Sequence, residues 1–144
     1  MILISHRGNI NGKLSNKENA PYYVNEALEL GYNVEIDVWW YNKNFYLGHD
    51  KPIYKVDVKY LQDYRLWCHA KNLEAIVEMK NNNIHYFWHQ KDDITLTSKG
   101  YIWAYPGKQP IKDSIAVLPE INNDLIEDCV GICSDFISIY GVKI

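Results

Sequence analysis

The first nine residues read MILISHRGN (Met1–Asn9), and the way their apolar run ends decides how the rest of the chain is read. Ile2, Leu3 and Ile4 are aliphatic and mostly β-branched, the make-up of a short buried strand. The run stops at Ser5, His6, Arg7 and Gly8. A histidine can take or give a proton near neutral pH, and here it stands beside an arginine, whose planar fork matches a phosphate. Gly8 then lets the chain turn sharply.

Similar runs recur downstream at Val34–Val38, Leu66–Cys68, Tyr86–Trp88, Tyr101–Tyr105, Ile115–Leu118 and Ile132–Ile139. Each is short, rich in β-branched or aromatic residues and bounded by turn formers, as buried strands are. Residues Tyr41 to Tyr46 read as a hairpin. Helical patterns lie between several runs. One follows Asn19, takes Pro21 into its first turn, places Val24, Ala27 and Leu28 on one face and stops at Gly31. A second follows Asn72 and turns Leu73, Ile76 and Val77 inward. A third is expected after Asn122, carrying Leu125, Ile126 and Cys129, and a weaker pattern runs from Asp57 to Tyr64. Strands alternating with helices predict an α/β fold with a mostly parallel sheet. No linker, repeat or biased tract divides the 144 residues, so one domain is expected over 1–144.

Composition narrows the function classes. A net charge of −3 gives no global basic field for nucleic acid. Cys68, Cys129 and Cys133 lack the paired spacing of a zinc site and read as free thiols in a reducing compartment. No run approaches the ~18 apolar residues of a membrane span, and Met1–Ile4 lacks the length and basic flank of a signal peptide. A cytoplasmic protein without stable membrane insertion is expected.

The residues that end the strands carry the chemistry. The first run ends at His6-Arg7, the second holds Glu35 and Asp37, the third ends at His69 and Lys71, the fourth at His89-Gln90, and the last contains Asp135. In a parallel barrel such strand ends open onto one face. Glu35 and Asp37, two apart on a strand, point to the same side. Two adjacent carboxylates repel unless a cation sits between them, and oxygen ligands suit Mg²⁺, Mn²⁺ or Ca²⁺. His69 and Lys71 share a face by the same spacing, His69 suited to complete a metal site and Lys71 to hold a phosphate oxygen. His6 and His49 are the pair that could move protons. Taken singly, each of these residues is as readily a satisfied polar edge; together they suit a phosphodiester.

Four motifs, in order, carry a resemblance. HRG (His6–Gly8), ENAP (Glu18–Pro21), EIDV (Glu35–Val38) and GHD (Gly48–Asp50) resemble the glycerophosphodiester phosphodiesterase family, CHAK (Cys68–Lys71) stands where that family has Glu-x-Lys, and GICSDF (Gly131–Phe136) is similar to its final strand. The resemblance implies a (β/α) barrel and metal-dependent cleavage of a small phosphodiester. It implies His6 and His49 as the acid/base pair, Arg7 and Lys71 on the phosphate, Glu18 in support, and Glu35, Asp37 and His69 on one divalent cation. His69 in place of a carboxylate favours Mn²⁺ or Mg²⁺ over Ca²⁺. Because such barrels take roughly 250 residues, the expectation is a reduced or incomplete TIM-type barrel with some helices missing. Bare strand faces near Phe87, Trp103 and Tyr105 would then favour self-association. Two other readings are a phospholipase or sphingomyelinase D-like enzyme of the same superfamily and a non-catalytic phosphate-binding protein.

Overall fold

The computed structural model describes residues 1–141. In chain order its elements are β1 (Ile2–His6), α1 (Pro21–Glu29), β2 (Asn33–Tyr41), β3 (Asn44–Leu47), β4 (Tyr54–Val56), α2 (Val58–Leu61), β5 (Leu66–Ala70), α3 (Leu73–Asn81), β6 (Tyr86–Trp88), β7 (Ile94–Leu96), β8 (Ile102–Ala104), β9 (Ser114–Val117) and β10 (Gly131–Ser134). All ten strands join one mixed sheet. The strands β6, β5, β2, β1, β10, β9 and β8 lie side by side and parallel. The β3–β4 hairpin and β7 are antiparallel additions. Ser98 N–H donates to the Tyr86 carbonyl at 2.7 Å and Thr95 Oγ1 to the Trp88 carbonyl at 2.8 Å, which draws the β7 end of the sheet towards β6.

This is a curled, β-rich half-barrel with three short α-helices, and the expected TIM-type (β/α) barrel is incorrect. The connections explain why. Between β6 and β8 the chain makes a strand, β7, where a crossover helix was required. Residues 105–113 contain Pro106 and Pro110, which lack an N–H to donate. The helix expected after Asn122 does not form: Asn123 takes a left-handed φ of 50°, and residues 122–129 run as turns.

Three helices form where the patterns placed them, the weaker Asp57–Tyr64 pattern giving the single turn of α2, capped by Asp57. Pro21 opens α1, which buries Val24, Ala27 and Leu28. Asn72 caps α3, its Oδ1 accepting from Ala75 N–H at 3.1 Å. The face that α3 buries is rotated from the expected one: it holds Ala75 and Met79, Ile76 packs at its margin, and Leu73 and Val77 are exposed. Asn72 is the reason. Its amide also donates to the Trp40 carbonyl and accepts from Trp40 N–H, so the sheet fixes the angle at which the helix starts.

Apolar packing divides into two layers. The convex layer sets α1 and α3 on Val34, Ile36, Val38, Leu66 and Cys68. The concave layer holds Ile4, Trp67, Phe87, Trp103, Ile115, Val117 and Cys133. Phe87 and Trp103 are therefore interior, whereas Tyr105 is partly exposed. Cys68, Cys129 and Cys133 are free and buried. Among the described residues no helix is long and apolar enough to cross a membrane.

Candidate functional site

Register brings the polar residues together. His6 pairs with Glu35 across β1–β2, and Asp37 pairs with His69 across β2–β5. Paired residues of parallel strands point to one face, and Glu35 and Asp37 do so by their spacing. All four therefore rise from the concave face, above the aromatic layer. His49 arrives from the hairpin. Arg7 N–H donates to the Glu35 carbonyl and Gly48 N–H to the Asp37 carbonyl, two steps along the same edge of β2. The end of β1 and the end of β3 thus meet there. His6, Arg7, Glu35, His49, His69 and Lys71 line one cavity of about 370 Å³.

Two glycines are needed to shape it. Gly8 has φ +95°, and a Cβ there would lie 2.5 Å from the Tyr23 ring. Gly48 has φ +153°, and a Cβ would lie 2.0 Å from the Lys51 carbonyl oxygen. Trp39 Nε1–H donates to the Gly48 carbonyl at 2.6 Å and steadies the turn that presents His49.

Glu35, Asp37 and His69 each offer a ligand atom, all within 4.8 Å of one another. His69 Nε2 lies 3.1 Å from the His89 carbonyl. A carbonyl only accepts, so Nε2 carries the proton and Nδ1 faces Asp37 Oδ1 at 3.2 Å and Glu35 Oε1 at 4.0 Å. Glu35 Oε2 and Asp37 Oδ1 are buried without a hydrogen-bond partner among the described residues. Orphaned buried carboxylate oxygens are costly. Asp37 Oδ1 faces His69 Nδ1 and Glu35 Oε2 lies 3.6 Å from His6 Nε2; the two carboxylates with the His69 nitrogen make a donor set that fits one divalent cation of the Mg²⁺, Mn²⁺ or Ca²⁺ kind. Charge agrees with this: among the described residues, Glu18, Glu35, Asp37 and Asp135 are opposed by only Arg7 and Lys71 as permanent cations of the site.

The environment sets the carboxylates apart. Burial pushes Glu35 up, and the neighbouring Asp37 charge adds to that. Burial acts on Asp37 in the same sense, but His69 and Arg7 outweigh it and hold Asp37 below the usual range. Asn19 strengthens this by donating Nδ2–H to Asp37 Oδ2 at 2.9 Å and accepting the Asp37 N–H.

Arg7 Nε lies 3.0 Å from Asp37 Oδ2 and Nη1 3.6 Å from Glu18 Oε1. The Nε–H is not aligned on Asp37, so this contact is an ion pair without a hydrogen bond. Two of the three guanidinium nitrogens thus face carboxylates, leaving Nη2 as the one suited to an anion in the cavity. Arg7 sits at φ 58°, a conformation rare outside glycine and asparagine that is found at functional sites.

A second cluster joins His6, Glu18 and Asp135. His6 Nδ1–H donates to Asp135 Oδ1 at 2.6 Å. Asn9 Nδ2 donates to Glu18 Oε2 at 2.7 Å and to Asp135 Oδ1 at 2.8 Å. These groups satisfy one another and form a support rather than a second cation site. Burial lowers the His6 pKa, but the Asp135 hydrogen bond and the Glu35 charge prevail and raise it. Asp135 is held below the usual carboxylate range: burial opposes this, and the His6 hydrogen bond outweighs it.

All eight residues singled out in the sequence lie in or against this cavity: seven carry its histidines, cations and ligand atoms, and Glu18 stands behind Arg7. Sequence reasoning placed His89 and Asp135 at strand ends without giving them a role, and assigned none in the site to Asn9, Asn19 or Tyr105. Asp135 ends the last strand as His6 ends the first, and that symmetry was its signal. No family model, curated protein or solved structure matches the chain.

Proposed function

We propose that this chain is a metal-dependent phosphodiesterase that cleaves a small, glycerophosphodiester-like substrate by histidine acid/base catalysis. The observation that carries the reading is the buried Glu35–Asp37 pair. The unpartnered Asp37 Oδ1 faces His69 Nδ1 at 3.2 Å and the unpartnered Glu35 Oε2 lies 3.6 Å from His6 Nε2, on the floor of a cavity that also holds His49, His89 and two cations.

Glu35, Asp37 and His69 would hold a divalent cation, which would supply Lewis-acid polarisation of the phosphate and a template for its orientation. The chain's own groups account for the rest. Arg7 Nη2 and Lys71 Nζ neutralise the phosphate oxygens. Asp135 fixes the His6 tautomer, so that Nε2 exchanges protons with substrate. His49 sits at the cavity rim, its Nδ1 2.8 Å from Asp50 Oδ1. One imidazole takes the proton of the attacking hydroxyl, a substrate hydroxyl or water, as its oxygen bonds to phosphorus. The other gives a proton to the alkoxide that leaves as the second P–O bond breaks. Burial of His6 and exposure of His49 divide the two tasks between the floor and the mouth.

Hydrolysis of bis-p-nitrophenyl phosphate, with and without EDTA, tests the reading. Turnover abolished by EDTA and by either His6→Ala or His49→Ala is expected. Near-native rates in both variants would overturn it, and phosphate binding without turnover would indicate a non-catalytic binding protein.

A further inference from the structure

The cavity has two unlike halves. His6, Arg7, Glu35, His49 and His69 make one, and Trp88, His89 and Tyr105 line the other, with Lys71 and Gln90 beside them. The aromatic half is not needed to hold a phosphate or move a proton. Its rings are ordered: His89 stacks on Tyr105 with centroids 3.5 Å apart and planes 19° from parallel. His89 Nε2–H donates to the Asp92 carbonyl at 2.6 Å, pinning the ring's edge while Tyr105 supports its face. Tyr105 N–H donates to the Asp93 carbonyl at 3.0 Å, so the same short loop anchors both residues. Trp88 is partly exposed next to them.

We infer that this plate binds a flat heteroaromatic ring, such as a nucleobase, carried on one alcohol arm of the phosphodiester. The inference rests on the phosphodiesterase reading for where the phosphate sits. A ring plate fixed before binding loses little freedom when a ligand stacks on it. Bases stack on aromatic side chains whatever their hydrogen-bonding edge. The Gln90 amide offers a donor and an acceptor beside the plate for that edge. A phosphate held at the charged half leaves one arm to lie over Trp88, His89 and Tyr105, and the cavity volume suits one such arm with its phosphate.

Calorimetric titration with AMP and with ribose 5-phosphate, in the presence of Mn²⁺, isolates the ring, because the two share phosphate and sugar. AMP is expected to bind at least about fivefold tighter. His89→Ala and Tyr105→Leu should each shrink that ratio towards one while leaving ribose 5-phosphate affinity within about twofold. His89→Ala, at the rim, covers the case in which Tyr105→Leu fails to fold. Equal affinities in the wild-type chain, binding of neither ester, or an unchanged ratio in His89→Ala would overturn the inference. Its failure is distinct from that of the phosphodiesterase reading: a chain that prefers AMP yet hydrolyses no diester keeps the ring subsite and loses the activity.

Discussion

Asp135 Oδ1 accepts hydrogen bonds from both His6 Nδ1, at 2.6 Å, and Asn9 Nδ2, at 2.8 Å, and so ties the end of the last strand to the end of the first. The carboxylate sets which His6 nitrogen faces the cavity, and it raises the His6 pKa. Asp135→Asn keeps the shape but removes the charge and allows the other tautomer. Turnover of bis-p-nitrophenyl phosphate should fall at least about tenfold, within the ~10²–10⁴ that a positioned acid or base contributes. The limb of the pH–rate profile that reports His6 should move to lower pH. An unchanged profile would show that Asp135 only braces the loop.

The donor set of two carboxylates and one imidazole predicts a metal preference. Ca²⁺ favours all-oxygen shells, whereas a nitrogen donor is accepted by Mn²⁺. Activity restored to EDTA-treated protein should be higher with Mn²⁺ or Mg²⁺ than with Ca²⁺, and His69→Glu should shift the ranking towards Ca²⁺. The same ranking in wild type and variant would remove His69 from the ligand set.

Gly48 offers a test of how His49 is placed. A Cβ at that position would lie 2.0 Å from the Lys51 carbonyl oxygen, so Gly48→Ala forces the turn to move. Gly48 is itself buried beside core Leu47, but His49 is 45% exposed and none of residues 49–53 is buried, so the turn can shift with little loss of core packing. Thermal unfolding should change by only a few degrees, while turnover falls about tenfold or more, as misplacement of a catalytic group does. Retained turnover would mean that His49 needs no fixed position.

Strands and site residues were legible in the sequence for one shared reason: each strand is an apolar run that stops on a chemically distinctive residue. Tyr86–Trp88 coincides with β6, and the ends at His6 and His69 lie where the sheet opens. That some helices would be missing was legible from the chain length; that the one after Asn122 would be among them was not. Asn122 looked like a cap, but Asn123 adopts the left-handed region and the chain turns instead. The strands β4 and β7 are three residues each, too short to show periodicity, and pairing with β3 and β8 creates them. Asn9 and Asn19 act through contacts with Asp135 and Asp37, residues 126 and 18 positions away, which no local pattern encodes.

His85 gives a prediction independent of catalysis. Its ring is buried at the far end of the concave layer, where Nε2 meets Thr97 Oγ1 at 2.8 Å and the face packs on Trp67 at 4.4 Å and Tyr101 at 5.9 Å. Burial, with a smaller contribution from the Lys99 charge, pushes its pKa down from 6.5 to about 4. The folded chain therefore binds fewer protons than the unfolded chain between those values. Stability contributed by neutral His85 is complete above pH 6.5 and is lost as pH falls towards 4, with a slope of at most about 1.4 kcal/mol per pH unit. His85→Gln keeps an amide to meet Thr97 but cannot titrate. Urea unfolding midpoints measured at pH 7, 5.5 and 4.5 should fall less steeply for the variant than for the wild type. Parallel declines would show that His85 is protonated as readily in the folded chain as in the unfolded one, and that the acid sensitivity resides in the carboxylates alone.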